Sequence, residues 1–213
     1  MKQAIKTIRR MTVATTIALA SASALATPIN TVDNGGFDNP AQYGGYTYLN
    51  GSAAGWTFSG AGAGVAANNS GFNVVNATGG QAAFLQGAGS SIAQVFTFTK
   101  SLFAVSFLAE ARGWGQGGNN VSVLVDGITL TFTGATSIFP GSTTSFVQYT
   151  SDFINLSAGD HTLRFVGNGG IGDVTTFVDS VSITAVPEPV SLGLLGLGLV
   201  ALGASRRKAA KPA

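Results

Sequence analysis

The chain has no cysteine, a single histidine and few charges, with Asp, Glu, Lys and Arg making up 9% of 213 residues. Without cysteine there are no disulfides and no thiolate metal sites. With His161 as the lone imidazole, a histidine-rich metal centre is excluded and any Ser-His-Asp triad would have to use that ring. Its place directly after a turn, at the start of a strand, reads as a solvated turn residue. Basic residues are scarce in the middle of the chain. Four of the 11 precede residue 11, four follow residue 205, and only Lys100, Arg112 and Arg164 lie between. All nine acids fall from Asp33 to Glu188, so that stretch, with three basic residues, carries net −6 although the whole chain is +2. Phosphate binding needs clustered Lys and Arg, so the sequence argues against nucleic acid as a partner. The glycine-rich stretches 113–118 and 167–172 are not phosphate loops, because neither is a strand-to-helix turn with a Walker lysine.

Helical periodicity is missing too: no ten-residue stretch of the middle shows it. Gly, Ala, Ser, Thr, Val and Phe dominate instead, which favours strands and tight turns. Ser91 to Thr99 alternates with a local break in phase, and Ser101 to Ala109 is nearly continuous, as in a strand buried on both faces. Val121, Val123 and Val125 lead into Asp126-Gly127, and Ile128, Leu130 and Phe132 lead out; this is the strongest hairpin signal. Phe146 to Leu156 reads as one strand, Ser157 to Asp160 as a turn, Thr162 to Val166 as the returning strand and Val174 to Val186 as the last. Nine or ten short strands with regular turns predict an all-β sandwich or barrel.

The two ends read as addresses. Lys2, Lys6, Arg9 and Arg10 precede an apolar run that ends at Ala24-Leu25-Ala26, a secretory signal peptide over 1–26 for the Sec translocon. At the other end Pro187-Glu188-Pro189 opens an apolar stretch from Val190 to Ala204, closed by Arg206, Arg207 and Lys208. About 15 residues of helix span roughly 22 Å, marginal against a ~30 Å hydrocarbon core, and the basic cluster would stay cytoplasmic. This combination over 186–213 resembles the PEP-CTERM sorting signal of Gram-negative bacteria. The resemblance implies export, transient anchoring in the inner membrane by the C-terminal helix, and cleavage near Pro-Glu-Pro by an exosortase. The product would then stand at the cell surface or outside the cell, without its hydrophobic tail.

The middle, 27–185, carries a second resemblance. Asn34-Gly35-Gly36-Phe37-Asp38-Asn39-Pro40, Gly55-Trp56-Thr57-Phe58, Gln81 to Gln86, Ser91 to Gln94, Ala158 to Phe165 and Phe177 to Ile183 are similar to the strand motifs of galactose-binding-like jelly rolls, the fold of many carbohydrate-binding modules. It implies a jelly-roll β-sandwich, and a structural calcium where first and last strands meet, held by Asp38 and Asp179. Asp38 stands where the family has the longer Glu, and Ser180 where a second Asp is common. The bland alternative is that Asp38 caps a turn and Asp179 ends a strand.

Sugar recognition needs aromatic faces beside amides or carboxylates. The loop holding Glu110, Arg112, Trp114, Gln116 and Asn119 supplies all three, a tryptophan among glycines being hard to bury. Otherwise Trp114 folds onto the sheet edge and Arg112 pairs with Glu110. Trp56 reads as core, and Tyr43, Tyr46 and Tyr48 as packing over the sandwich end. The expected function is a non-enzymatic surface or matrix protein that engages extracellular polysaccharide or neighbouring surface proteins. The alternatives are a polysaccharide hydrolase using Glu110 and Asp126 as its acid pair, and a structural adhesin with no sugar site.

Overall fold

The computed structural model describes residues 32–98, 101–113, 117–170 and 172–186, the strand at 27–28, and the helical positions 196, 198 and 199. The signal peptide, Trp114, Gln116, Pro187, Glu188, Pro189, Arg206, Arg207 and Lys208 lie outside the described residues. Among the described residues no helix is long and apolar enough to cross a membrane. Among the described residues of the unit 24–188, the regular elements are strands and one 3-10 turn at Thr78–Gly80.

In chain order these are β1 (Thr27–Pro28), β2 (Tyr46–Tyr48), β3 (Gly51–Ala53), β4 (Trp56–Ser59), β5 (Ala63–Ala67), β6 (Gln81–Gln86) and β7 (Ser91–Phe98). They continue with β8 (Ser101–Ala111), β9 (Val121–Val125), β10 (Ile128–Thr129), β11 (Val147–Thr150), β12 (Ile154–Leu156), β13 (Gly159–Gly167) and β14 (Thr175–Val186). They form two antiparallel sheets. The first, sheet A, runs β11-β8-β14-β6-β5-β2, with β12 also on β8 and β1 on β14; the second, sheet B, runs β10-β9-β13-β7-β4-β3. The fold is the predicted all-β jelly-roll sandwich.

Period-two alternation places one face of each sheet in the shared core. Trp56, Phe58, Ile92, Phe96, Val123, Leu163 and Phe165 of sheet B meet Leu85, Phe103, Val105, Phe107, Val178 and Ile183 of sheet A. Sheet B then alternates to exposed or half-exposed residues outside, as β9 and β13 show. Sheet A does not. β5 is buried throughout, β6 nearly so, and the outward residues Ala66, Ala82, Phe84 and Phe177 form a second apolar cluster. A loop from Asn68 to Gly80 covers it with Phe72, Val74 and Ala77.

The Asp126-Gly127 hairpin forms as expected: both residues have positive φ, 51° and 79°, which the tight turn between β9 and β10 requires. Three expectations need correction. The apparent phase break in β7 is not a break, because Gln94 takes an inward position and Val95 points out. The buried Gln94 amide accepts from Asp33 N–H (2.8 Å) and donates to the carbonyls of Asp33 (2.9 Å) and Gly55 (3.0 Å). The single strand expected over 146–156 is two. At Ser151 the hydroxyl, not the backbone carbonyl, accepts from Val105 N–H (3.0 Å), which interrupts the ladder between β11 and β12. Finally, His161 is buried, not solvated: Nδ1 lies 2.7 Å from Asp126 Oδ2, Nε2 lies 3.0 Å from the Ser157 carbonyl, and the ring packs near Phe96.

The hydrogen bond to Asp126 raises the His161 pKa, and the same bond lowers that of Asp126. A raised histidine contributes stability that is present below its ordinary value of 6.5 and is lost as pH rises through the folded one. A depressed carboxyl contributes above its ordinary 3.8 and is lost as pH falls through the folded value. The pair therefore stabilises most between about pH 4 and 6.5. Asp126→Asn keeps the turn conformation and an acceptor but removes the charge. The Tm gap between wild type and this variant is expected to be largest between about pH 4 and 6.5 and to shrink as pH rises through the raised His161 value; a gap independent of pH would refute the pairing.

Candidate functional site

The functional features gather on the outer face of sheet A. At its edge β2 carries Tyr46 and Tyr48 on one side of the strand, 47% and 46% exposed, while Tyr43 just before it is 96% exposed. Tyr43 thus does not pack as expected, whereas Tyr46 and Tyr48 do pack, on Phe72 and Phe84, with part of each ring left exposed. The apolar cluster beneath supports the two strand tyrosines from below and leaves their outer surfaces free. Phe72 lies 4.7 Å from the ring of Tyr46 and 5.7 Å from that of Tyr48, and is itself stacked at 4.3 Å on Phe84. The rings of Tyr46 and Tyr48 are 6.2 Å apart and nearly perpendicular, at 84°.

A chain of planar polar groups rims these rings. Tyr48 Oη donates to Gln86 Oε1 (2.6 Å), and Gln86 Nε2 donates to Asp173 Oδ1 (3.0 Å). Arg112 Nη1 stands 4.0 Å from Asp173 Oδ2, and its guanidinium lies over the Phe72 ring at 4.5 Å. Arg112 therefore pairs with Asp173 and not with Glu110. Of the described loop residues singled out in the sequence, Arg112 is the one whose position joins the aromatic surface.

Glu110 and Asn119 do not present polar atoms to solvent. Asn119 is a buried tie: Nδ2 donates to the carbonyls of Leu85 (3.2 Å) and Gly87 (2.8 Å), and Oδ1 accepts from Gly169 N–H (2.5 Å). Its amide is fully occupied in joining three segments, which corrects its reading as a ligand contact. Glu110 faces outward from β8 opposite Phe177 and lies wholly under the covering loop. Neither carboxylate oxygen has a well-formed hydrogen bond; the Val75 N–H is close enough to favour the charged form, but burial outweighs it and pushes the pKa up to about 7. Asp126, its supposed partner in an acid pair, sits in the β9–β10 turn of the other sheet. The two carboxyls do not flank a common cleft.

Asp38 and Asp179 do come together. A β-bulge between Asp179 and Ser182, with Ser180 at φ 49°, turns Asp179 beneath the covering loop. There it accepts from Thr78 N–H (2.7 Å) and Ser180 N–H (2.5 Å), and burial raises its pKa to about 6. It has no basic partner among the described residues. Gly36 leaves open the space between the two carboxylates, since a Cβ there would stand 3.2 Å from Asp38 Oδ2 and 3.9 Å from Asp179 Oδ1. A side chain on Gly79 would collide with Asp38 Oδ1. Two carboxylates converging on a gap kept clear by glycines, one of them buried without a countercharge, fit a hard divalent cation such as calcium. No group of three or more His, Cys, Asp or Glu side chains occurs among the described residues, so the other donors would be backbone carbonyls and water.

Residues 185–208 match the PEP-CTERM protein-sorting motif. No curated protein matches the chain. Among solved structures, the sandwich is similar to the Stig cyclase Fisc from Fischerella sp. TAU at 18% identity, with a TM-score of 0.53 over 78% of this chain and 99% of that one. It is also similar to TmCBM61, solved with β-1,4-galactotriose, at 14% identity and a TM-score of 0.49 over 73% and 98%. A third is the CBM36-1 domain of a multidomain xylanase from the hindgut metagenome of Trinervitermes trinervoides, at 17% identity and 0.46 over 62% and 91%. Identities this low speak to the fold alone, and fold does not fix function. The chain thus carries a PEP-CTERM protein-sorting motif behind an all-β jelly-roll sandwich.

Proposed function

We propose that this is an exported, non-enzymatic protein that an exosortase releases from the inner membrane near Pro187-Glu188-Pro189, and that its sandwich, 27–185, binds extracellular polysaccharide on the outer face of sheet A. The observation that carries the reading is the pair of exposed tyrosines, held on a rigid strand and rimmed by Gln86, Asp173 and Arg112. Aromatic rings stack on the apolar faces of sugar rings, and fixed planar groups bind their hydroxyls. The 84° between the tyrosine rings matters for the kind of ligand. Coplanar rings would suit the flat surface of a crystalline polysaccharide. Perpendicular rings grip one chain from two sides, so the expected ligand is a soluble, single-chain glycan. With Asp173 exposed at the rim and net −6 from Asp33 to Glu188, a neutral glycan is favoured over a polyuronate. The separation of Glu110 and Asp126 between two sheets supports the non-enzymatic reading. Calcium at Asp38 and Asp179 would pin the opening segment to β14 and the covering loop, a structural role.

The test is binding of the full-length protein to the producer's own soluble exopolysaccharide, beside soluble β-1,4-galactan, alginate and crystalline cellulose. Tyr46→Ala and Tyr48→Ala together should weaken glycan binding by about ten-fold or more in a protein that still folds, although the loss of their packing on Phe72 lowers its Tm. Trp114→Ala asks whether the neighbouring loop contributes. Saturable binding to no soluble glycan would leave a structural adhesin as the better description. Separately, chelation should lower the Tm of the wild type by several degrees and leave Asp179→Asn unmoved; equal responses would remove calcium from the account.

A further inference from the structure

Glu110 is the one acidic side chain among the described residues that is fully buried with neither carboxylate oxygen properly hydrogen-bonded. The groups around it are apolar or already engaged, apart from the Val75 N–H, which lies close without a well-formed hydrogen bond; in the covering loop the Ser70 hydroxyl is likewise buried without a partner. On β14 it faces Phe177, and Asp179 lies further along with its carboxylate bound to Thr78 and Ser180. Arg112, just past the end of β8, is held by Asp173 and Phe72. β6 contributes Phe84 and Gln86, the opening segment Asp38 beside Gly36, and the segment before β11 the apolar Phe146. The covering loop, 68–80, has no titratable side chain at all.

That loop is closed on itself more than it is fastened to the sheet. The Asn68 side chain accepts from Ala77 N–H (2.9 Å) and donates to the Ala77 carbonyl (3.1 Å), and Asn69 N–H donates to the Val74 carbonyl (2.9 Å). Its hold on the sheet is the apolar packing of Phe72, Val74 and Ala77, with Thr78 N–H on Asp179 and a long 3.5 Å contact from Arg112 to the Gly71 carbonyl. Phe72 of this loop is the floor under Tyr46 and Tyr48, so lifting the loop would remove that floor. An unpaired carboxylate in an apolar site is far costlier than the neutral acid.

We propose that Glu110 is a proton-operated latch on this loop: protonated, it lets the loop close on sheet A with Phe72 beneath the tyrosines; ionised, it draws in water and lifts the loop away. The consequence for glycan binding rests on the tyrosine face being the binding surface; the latch itself does not. The sign follows from burial raising the Glu110 pKa from 4.5 to about 7. The closed state is fully favoured below the ordinary value, loses ground as pH rises through the interval, and changes no further above about 7. For one proton the shift is about ten-fold in the opening equilibrium per pH unit.

Amide hydrogen exchange of the 68–80 segment in the full-length chain tests this without any ligand. Dividing wild-type exchange by that of Glu110→Gln at each pH cancels both the intrinsic pH dependence and the titration of Asp179. The ratio should rise about ten-fold per unit from roughly pH 5 to 7 and then level off. A ratio constant across that range overturns the latch. Glu110→Leu serves as reference should the glutamine variant fail to fold. Soluble β-1,4-galactan, added in a second series, separates the two readings: a rising ratio with no galactan binding keeps the latch and counts against the sugar site, while binding with a constant ratio does the reverse.

Discussion

Around β5, β6 and the start of β14, sheet A is buried on both faces, and a stretch of sheet that turns neither face to water needs two covers. Sheet B is one of them, through the shared core of phenylalanines, valines and leucines. The other is built from a loop that contributes Phe72, Val74 and Ala77. Burial of apolar side chains is the dominant favourable term in folding, so this second cover is part of the fold and not an ornament on it. Much else depends on it. It brings Phe72 under the edge tyrosines, takes Glu110 out of water, and delivers the Thr78 N–H to Asp179.

With few charges available, the chain ties its irregular segments down with amides. Gln94 holds the opening segment and the turn before β4; Gln81 donates to the Phe37 and Pro40 carbonyls and accepts from Gln42; Asn119 joins β6 to the loops on either side. Trp56 adds to the first of these, its Nε1–H shared between the Asp33 and Asn34 carbonyls at 3.0 and 3.1 Å. Each is a buried polar group with its partners in place, and removing one leaves others unpaired at roughly 1–3 kcal/mol each. Amides suit this work because they offer donor and acceptor together and carry no charge to desolvate. Glu110 stands apart for the same reason: it has the charge and lacks the partners.

The ionisable groups accordingly divide by surroundings. His161 and Asp126 stabilise each other at the rim of sheet B, with pKa values driven apart by one hydrogen bond. Asp179 and Glu110 share the outer face of sheet A, where burial moves both upward. Asp179 has backbone donors and a neighbouring carboxylate across a glycine gap, the setting for a cation. Glu110 has an apolar cover, the setting for a proton.

What the sequence by itself determined is what depends on short-range signals. The Asp126-Gly127 hairpin, the strands expected over 91–99 and 101–109, the core place of Trp56 and the C-terminal sorting motif are written in neighbouring residues. Turn conformation, period-two alternation and terminal charge are local properties. Only the tertiary structure decided which polar residues went inside. Gln94 looks like a fault in a strand until the Asp33 backbone is placed against it, and Asn119 like a loop amide until β6 and Gly169 surround it. Tyr46 and Tyr48 stay exposed because β2 is an edge strand, which composition does not reveal. Glu110 is buried because a separate loop folds over the outer face of its sheet, and the energy of that cover lies in apolar contacts among residues far apart in the chain.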